Sequence, residues 1–215
     1  MPDRREDLAA LVQRRALVGA AAPSLSRRPA LNSARCHARE TRAMMLNIDK
    51  FNATPLVSEP FQHLVVEDFI SAETLAEVTA DYPDVPGGGS HYGSTLKIEG
   101  RFKALMDEMQ GPAFQKAMEE KFDYDLSNRP ITYTVRGYCR AKDGSIHTDS
   151  KTKIFTVLLY LNDLAWSNEG GRLRLLNSGD SLEDYFAEVE PKGGTLLVFK
   201  RADNSWHGHH PYEGP

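Results

Sequence analysis

Residues 154–162, Ile-Phe-Thr-Val-Leu-Leu-Tyr-Leu-Asn, limit the possible folds of this chain more than any other stretch. The run has the length of a strand and is apolar on both faces, so it must lie between two packed layers. Its odd positions are Phe155, Val157, Leu159 and Leu161, whereas its even positions include the hydroxyls of Thr156 and Tyr160. The even face is therefore the one expected to border a cavity. Further short strands are expected at 131–139, 172–176, 187–190 and 195–199, with Gly170-Gly171 and Pro191-Lys192-Gly193-Gly194 as turns between them. The first half reads differently. A strand at Leu64-Val65-Val66 precedes a helix capped by Ser71, and two more helices are expected at 101–109 and from Pro112 to about Phe122. Short strands after a helical half predict a mainly β fold with flanking helices, a jelly roll with an α-helical N-terminal support.

Just before the central strand stands Gly144-Ser145-Ile146-His147-Thr148-Asp149. Alternate residues of a strand share a face, so His147 and Asp149 can converge on one metal ion. A third ligand must come from elsewhere, and Trp206-His207-Gly208-His209-His210 follows the apolar run 195–199. His207 is the favoured ligand, with His209 as a neighbour on the same strand face and His210 exposed. Two histidines and one carboxylate form the facial triad of non-haem Fe(II) oxygenases, which leaves open positions for substrate and dioxygen. A hydrolytic zinc site is disfavoured because no general base stands out beside the three residues. His63 and His91 have no metal partner at useful spacing and read as surface or helix-flanking residues. Arg174 reads as structural, Trp206 as packing beside the site, and Cys139 as a small core residue with no activating histidine nearby in sequence.

Composition narrows the rest. The chain of 215 residues suits one domain, and no apolar run is long enough to span a bilayer. Its two cysteines, Cys36 and Cys139, are read as free thiols in a reducing, cytoplasmic setting. The net charge of −4 hides an asymmetry: residues 1–43 carry nine Arg against four acids, so the remainder is strongly acidic. An acidic globular part argues against nucleic-acid binding. Residues 1–43 contain no Phe, Tyr, Trp or Ile and read as a basic, disordered leader ahead of a domain at 44–215. A targeting peptide, a basic arm and a start of translation at Met44 or Met45 are the competing accounts, and the last is favoured.

The ordered set His147-x-Asp149, Tyr160-Leu161-Asn162, Gly170-Gly171-x-Leu173-Arg174, Pro191-x-Gly193-Gly194-x-Leu196-x-x-Phe199 and Trp206-His207 resembles the 2-oxoglutarate- and Fe(II)-dependent oxygenases, in particular their prolyl 4-hydroxylase-like branch. The resemblance covers roughly residues 60–215 and implies a double-stranded β-helix, with Fe(II) held by His147, Asp149 and His207. It implies 2-oxoglutarate as cosubstrate and O2 as oxidant, with ascorbate as an optional addition, and it places Tyr138 and Tyr160 near the cosubstrate. Hydroxylation of an unactivated C–H bond, in a peptidyl or small-molecule substrate, would then release succinate and CO2. Such proteins carry an Arg or Lys about ten residues after the distal histidine, whereas this chain stops at Pro215, eight residues past His207. The expectation is a chain without its last strand, and the alternative function is a non-catalytic metal- or ligand-binding jelly roll lacking a normal cosubstrate anchor.

Overall fold

A computed structural model describes residues 44–166 and 170–212, together with the backbone of 7–13. Among these residues the chain runs β1 (Asp7–Gln13), α1 (Ile48–Ala53), β2 (His63–Val66), α2 (Ala72–Ala80), β3 (Ser90–Tyr92), α3 (Gly100–Met109), α4 (Pro112–Phe122) and β4 (Ile131–Arg136). It continues with β5 (Lys153–Tyr160), β6 (Leu173–Leu176), β7 (Tyr185–Val189), β8 (Leu196–Lys200) and β9 (His207–Gly208). The strands form a six-stranded sheet in the order β2-β8-β5-β1-β4-β3 and a three-stranded sheet in the order β7-β6-β9. This two-sheet arrangement is the jelly-roll type anticipated from the strand pattern. No helix among the described residues is long and apolar enough to cross a membrane.

Local chemistry sets the helix ends. The Ser71 hydroxyl accepts the Thr74 amide at 3.1 Å and so caps α2. Pro112 occupies the first turn of α4, where its missing N–H costs nothing, and Asp123 ends that helix in the left-handed region.

Two apolar clusters show how the strand alternation is used. On the outer face of the larger sheet, Phe155, Val157 and Leu159 of β5 pack with Leu196 and Val198 of β8 against Phe102, Leu105, Phe114, Met118 and Phe122 of the helices. On the opposite face, Leu158 and Tyr160 join Leu197, Phe199, Leu173, Leu175, Val189 and Phe61 between the two sheets. Each fully buried Leu or Phe contributes about 1.5–3 kcal/mol relative to exposure, so the two-sided burial of β5 makes it the central rib. The inter-sheet core fills only part of the gap between the sheets. The remainder is the cavity described below.

β1 corrects one expectation. Residues 7–13 were expected within a disordered leader, yet they lie parallel to both β4 and β5, with Leu8 opposite Ile131 on one side and Phe155 on the other. The physical reason is the short apolar run Leu8-Ala9-Ala10-Leu11-Val12, which suits a position between two strands whose backbone groups would otherwise lack partners. The remaining leader residues, including Cys36 and the three competing accounts of them, fall outside the described residues. His63 departs from expectation as well. It is buried in β2 beside Phe61 and Phe186 rather than at the surface, with its Nδ1 3.0 Å from the Phe61 carbonyl.

Candidate metal centre

A turn at Lys142-Asp143-Gly144 delivers the first ligand. The Asp143 carboxylate accepts from the Arg140 amide at 3.0 Å and from its guanidinium at 3.0 Å, which fixes the loop. Gly144 adopts φ +91°, and a Cβ there would overlap the His209 ring. His147 then forms an isolated antiparallel bridge with His207 of β9, exchanging two backbone hydrogen bonds of 3.0 Å. β9 in turn pairs with β6 through Leu175 and His207. The two imidazoles are thus placed by one stretch of backbone pairing, with ring centroids 4.3 Å apart.

Hydrogen bonding sets the tautomers. His147 Nδ1 lies 2.8 Å from the Ser145 carbonyl, and His207 Nδ1 lies 3.0 Å from the Ser205 carbonyl. A carbonyl can only accept, so each Nδ1 carries the proton and each Nε2 lone pair is left for a metal. Burial, with the His147 charge adding to it, pushes the His207 imidazole down to about 4, so that ring is neutral at physiological pH. Asp149 is 8% exposed and pairs with Lys153 Nζ at 2.6 Å and with the Thr156 hydroxyl. Burial alone would raise its carboxyl, but the hydrogen bonds from Lys153 and Thr156 outweigh that and hold it below the ordinary carboxylate value.

One donor atom from each of His147, Asp149 and His207 lies within 4.8 Å of the other two. Two imidazole nitrogens and one carboxylate oxygen fit a divalent transition metal, and the set is the one that leaves open positions on iron. The three residues line a cavity of about 500 Å³, together with Thr156, Leu158, Thr132, Thr134 and Arg136 of the larger sheet.

The other candidates are placed as follows. Tyr160 is fully buried in the inter-sheet core, where burial pushes its phenol up, and Tyr138 is 44% exposed with its ring over Gly88. Neither is among the residues lining the cavity. His209 does line it, and its Nε2 stands 4.0 Å from the Cys139 sulfur, a neighbour invisible in the linear sequence. Burial pushes that thiol up, the opposite of an activated nucleophile. His210 is exposed and contacts Glu183 at 2.8 Å. His91 is half-buried, and its Nε2 is without a partner among the described residues. Arg174 is structural, binding Glu188 and Glu183 at 2.8 Å each. Lys153 and Arg136 were not anticipated as site residues. The available signal for Arg136 was the alternation of Thr132, Thr134 and Arg136 with Ile131, Tyr133 and Val135.

Fold and site together define a jelly roll with a candidate two-histidine, one-carboxylate metal centre. Residues 133–215 match the family model of the 2OG-Fe(II) oxygenase superfamily. A search of the curated proteins finds none that matches. Among solved structures, a Pseudomonas putida prolyl-4-hydroxylase is similar at 18% identity and a TM-score of 0.41, covering 78% of this chain and 84% of its own.

Proposed function

We propose that this protein is an Fe(II)- and 2-oxoglutarate-dependent dioxygenase of the prolyl 4-hydroxylase-like branch. It would hydroxylate an unactivated C–H bond of a peptidyl or small-molecule substrate. The observation that carries the reading is the convergence of His147, Asp149 and His207 on one wall of the cavity, each imidazole with Nε2 free, inside the segment that matches the superfamily. The branch rests on the order and spacing of the motifs, and the cytoplasmic setting on the sparse cysteine usage.

Bound Fe(II) supplies the redox chemistry by which 2-oxoglutarate, O2 and a C–H bond are converted to succinate, CO2 and an alcohol. The chain's own residues have simpler tasks. His147 and His207 present their Nε2 atoms, held in orientation by the carbonyls of Ser145 and Ser205. Asp149 presents the charged ligand, oriented by Thr156. The apolar inter-sheet core, with Leu158 and Leu173 at the cavity wall, limits the entry of water.

Anaerobic titration with Fe(II) and 2-oxoglutarate, followed by the weak visible charge-transfer band of the chelated complex, tests the reading. A band that needs both ligands and disappears in His147→Ala is the expected result. Iron binding without a band would support the alternative of a non-catalytic metal-binding jelly roll, and no iron binding would remove both.

A further inference from the structure

Two strands that line the cavity do not pair with each other. Thr132, Thr134 and Arg136 of β4 and Thr156 and Leu158 of β5 all line it, but β1 lies between these strands in the sheet. Ala9 is in register with Thr132 on one side and Thr156 on the other, and Leu11 with Thr134 and Leu158. Positions 9 and 11 therefore belong to the cavity-bearing face of the sheet. Positions 8, 10 and 12 are in register with Phe155, Val157 and Leu159, on the face that meets the helices. Without β1, the inner edges of β4 and β5 would face each other across two strand spacings, roughly 9–10 Å, each with a row of unpaired backbone groups.

The register also links β1 to a candidate metal ligand. The Thr156 hydroxyl donates to the Asp149 carboxylate, and the Thr156 backbone stands between Ala9 of β1 and Phe199 of β8. Losing β1 would leave that backbone with one neighbouring strand instead of two, and the hydroxyl that orients Asp149 would lose half of its support. β1 is parallel to both neighbours, a pairing that no tight turn can close, and residues 14–47 separate it from α1. Its position depends on what it gains inside the sheet rather than on a connecting turn, so it is a segment that can open locally while the rest stays folded.

We propose that β1 is a positioning strand of the metal centre: docked between β4 and β5, it fixes Thr156 and through it Asp149, so that strand docking and divalent-ion binding reinforce each other. The coupling is reciprocal, since each event favours the same placement of one carboxylate. The inference rests on the metal-centre reading of His147, Asp149 and His207 and not on the identity of any cosubstrate.

The test uses the full chain. Hydrogen exchange is followed by mass spectrometry with and without Mn(II), and Mn(II) affinity is measured by calorimetry in wild type, Ala10→Gly and Ala10→Pro, each also in a Thr156→Val background. Residues 8–13 are expected to exchange as slowly as a central strand, and at least tenfold more slowly again with Mn(II), while 185–189 of β7 changes less. A proline has no N–H for the ladder, so Ala10→Pro should release the strand and lower Mn(II) affinity at least tenfold, in line with the loss of a ligand-orienting group. Ala10→Gly should lower it a few-fold, and it decides the matter if the Pro form does not fold. In the Thr156→Val background the same substitutions should change affinity little, a result that a general loss of stability does not produce. Exchange of 8–13 at the rate of an unstructured peptide overturns the docked strand. Unchanged or higher Mn(II) affinity in the Ala10 variants overturns the coupling, as does an equal loss in the Thr156→Val background. If the wild type binds no Mn(II), the metal-centre reading fails and takes the coupling with it, an outcome distinct from normal binding that the β1 substitutions leave untouched.

Discussion

His147 and His207 face each other across a single antiparallel bridge, each donating its amide to the other's carbonyl at 3.0 Å. The two metal-facing imidazoles therefore share one piece of backbone geometry. Substituting either removes a ligand without removing the bridge. His147→Ala and His207→Ala are each expected to lower Fe(II) or Mn(II) affinity by about a hundredfold or more, whereas His209→Ala changes it only a few-fold. Calorimetric titration of the three variants checks this. A large loss in His209→Ala, with His207→Ala binding normally, would move the third ligand from residue 207 to 209.

Lys153 is paired with the carboxylate that a metal at this centre would need. Its ammonium lies 2.6 Å from Asp149 Oδ1, and the Asp149 side chain is almost fully buried. Removing the lysine leaves a buried carboxylate held only by neutral groups, a change that costs about 3 kcal/mol in comparable cases. Lys153→Met is accordingly expected to be less stable than wild type without metal. A divalent ion replaces the missing positive charge, so Mn(II) should raise the melting temperature of Lys153→Met by more than it raises that of wild type. An equal or smaller rise would mean that Lys153 does not oppose the metal at Asp149.

The same centre makes the metal-free fold sensitive to acid. His207 titrates at about 4 in the folded chain because of burial, against about 6.5 when unfolded. Between those values the unfolded chain binds the extra proton, so stability rises with pH and is lost as pH falls from about 6.5 towards 4, by on the order of 3 kcal/mol. Asp149, held below its ordinary value, adds a loss of the same sign at lower pH. Urea unfolding of metal-free protein at pH 7 and pH 5 should show the drop, and His207→Gln should flatten it. A parallel pH dependence in the variant would assign the effect to other groups.

What could be read from the sequence divides along the range of the interactions. The alternation in 154–162 correctly sorted Phe155, Val157 and Leu159 from Leu158 and Tyr160, because strand periodicity is local. His147-x-Asp149 was legible for the same reason, and His207 followed from its place after the run 195–199. Lys153 was hidden because its role depends on a carboxylate four residues away folding back onto it. β1 was missed since the composition of residues 1–43 as a whole masks the apolar run within 7–13. The burial of His63 arises from Phe61 and Phe186, the latter more than a hundred residues distant, a contact that no local pattern announces.

The junction that closes the central rib depends on Gly193. Its amide donates to the Asp163 carbonyl at 3.0 Å, and the next residue, Gly194, donates to the Tyr160 carbonyl at 2.8 Å. Asn162, buried beside it, donates from Nδ2 to the Pro191 carbonyl at 2.6 Å. A Cβ on Gly193 would overlap the Asn162 carbonyl oxygen and lie 2.6 Å from the Leu75 side chain of α2. Leu75 could shift, but the Asn162 carbonyl is backbone held at the end of β5 and cannot. Gly193→Ala is therefore expected to destabilise the chain by about 1–3 kcal/mol through this overlap. Gly179→Ala, whose Cβ would meet only the Trp206 ring at 3.1 Å, should cost less. Urea unfolding of both variants checks the order. A Gly193→Ala protein as stable as wild type would show that the 190–194 turn relaxes freely, and that β5 and β8 are not locked together at that point.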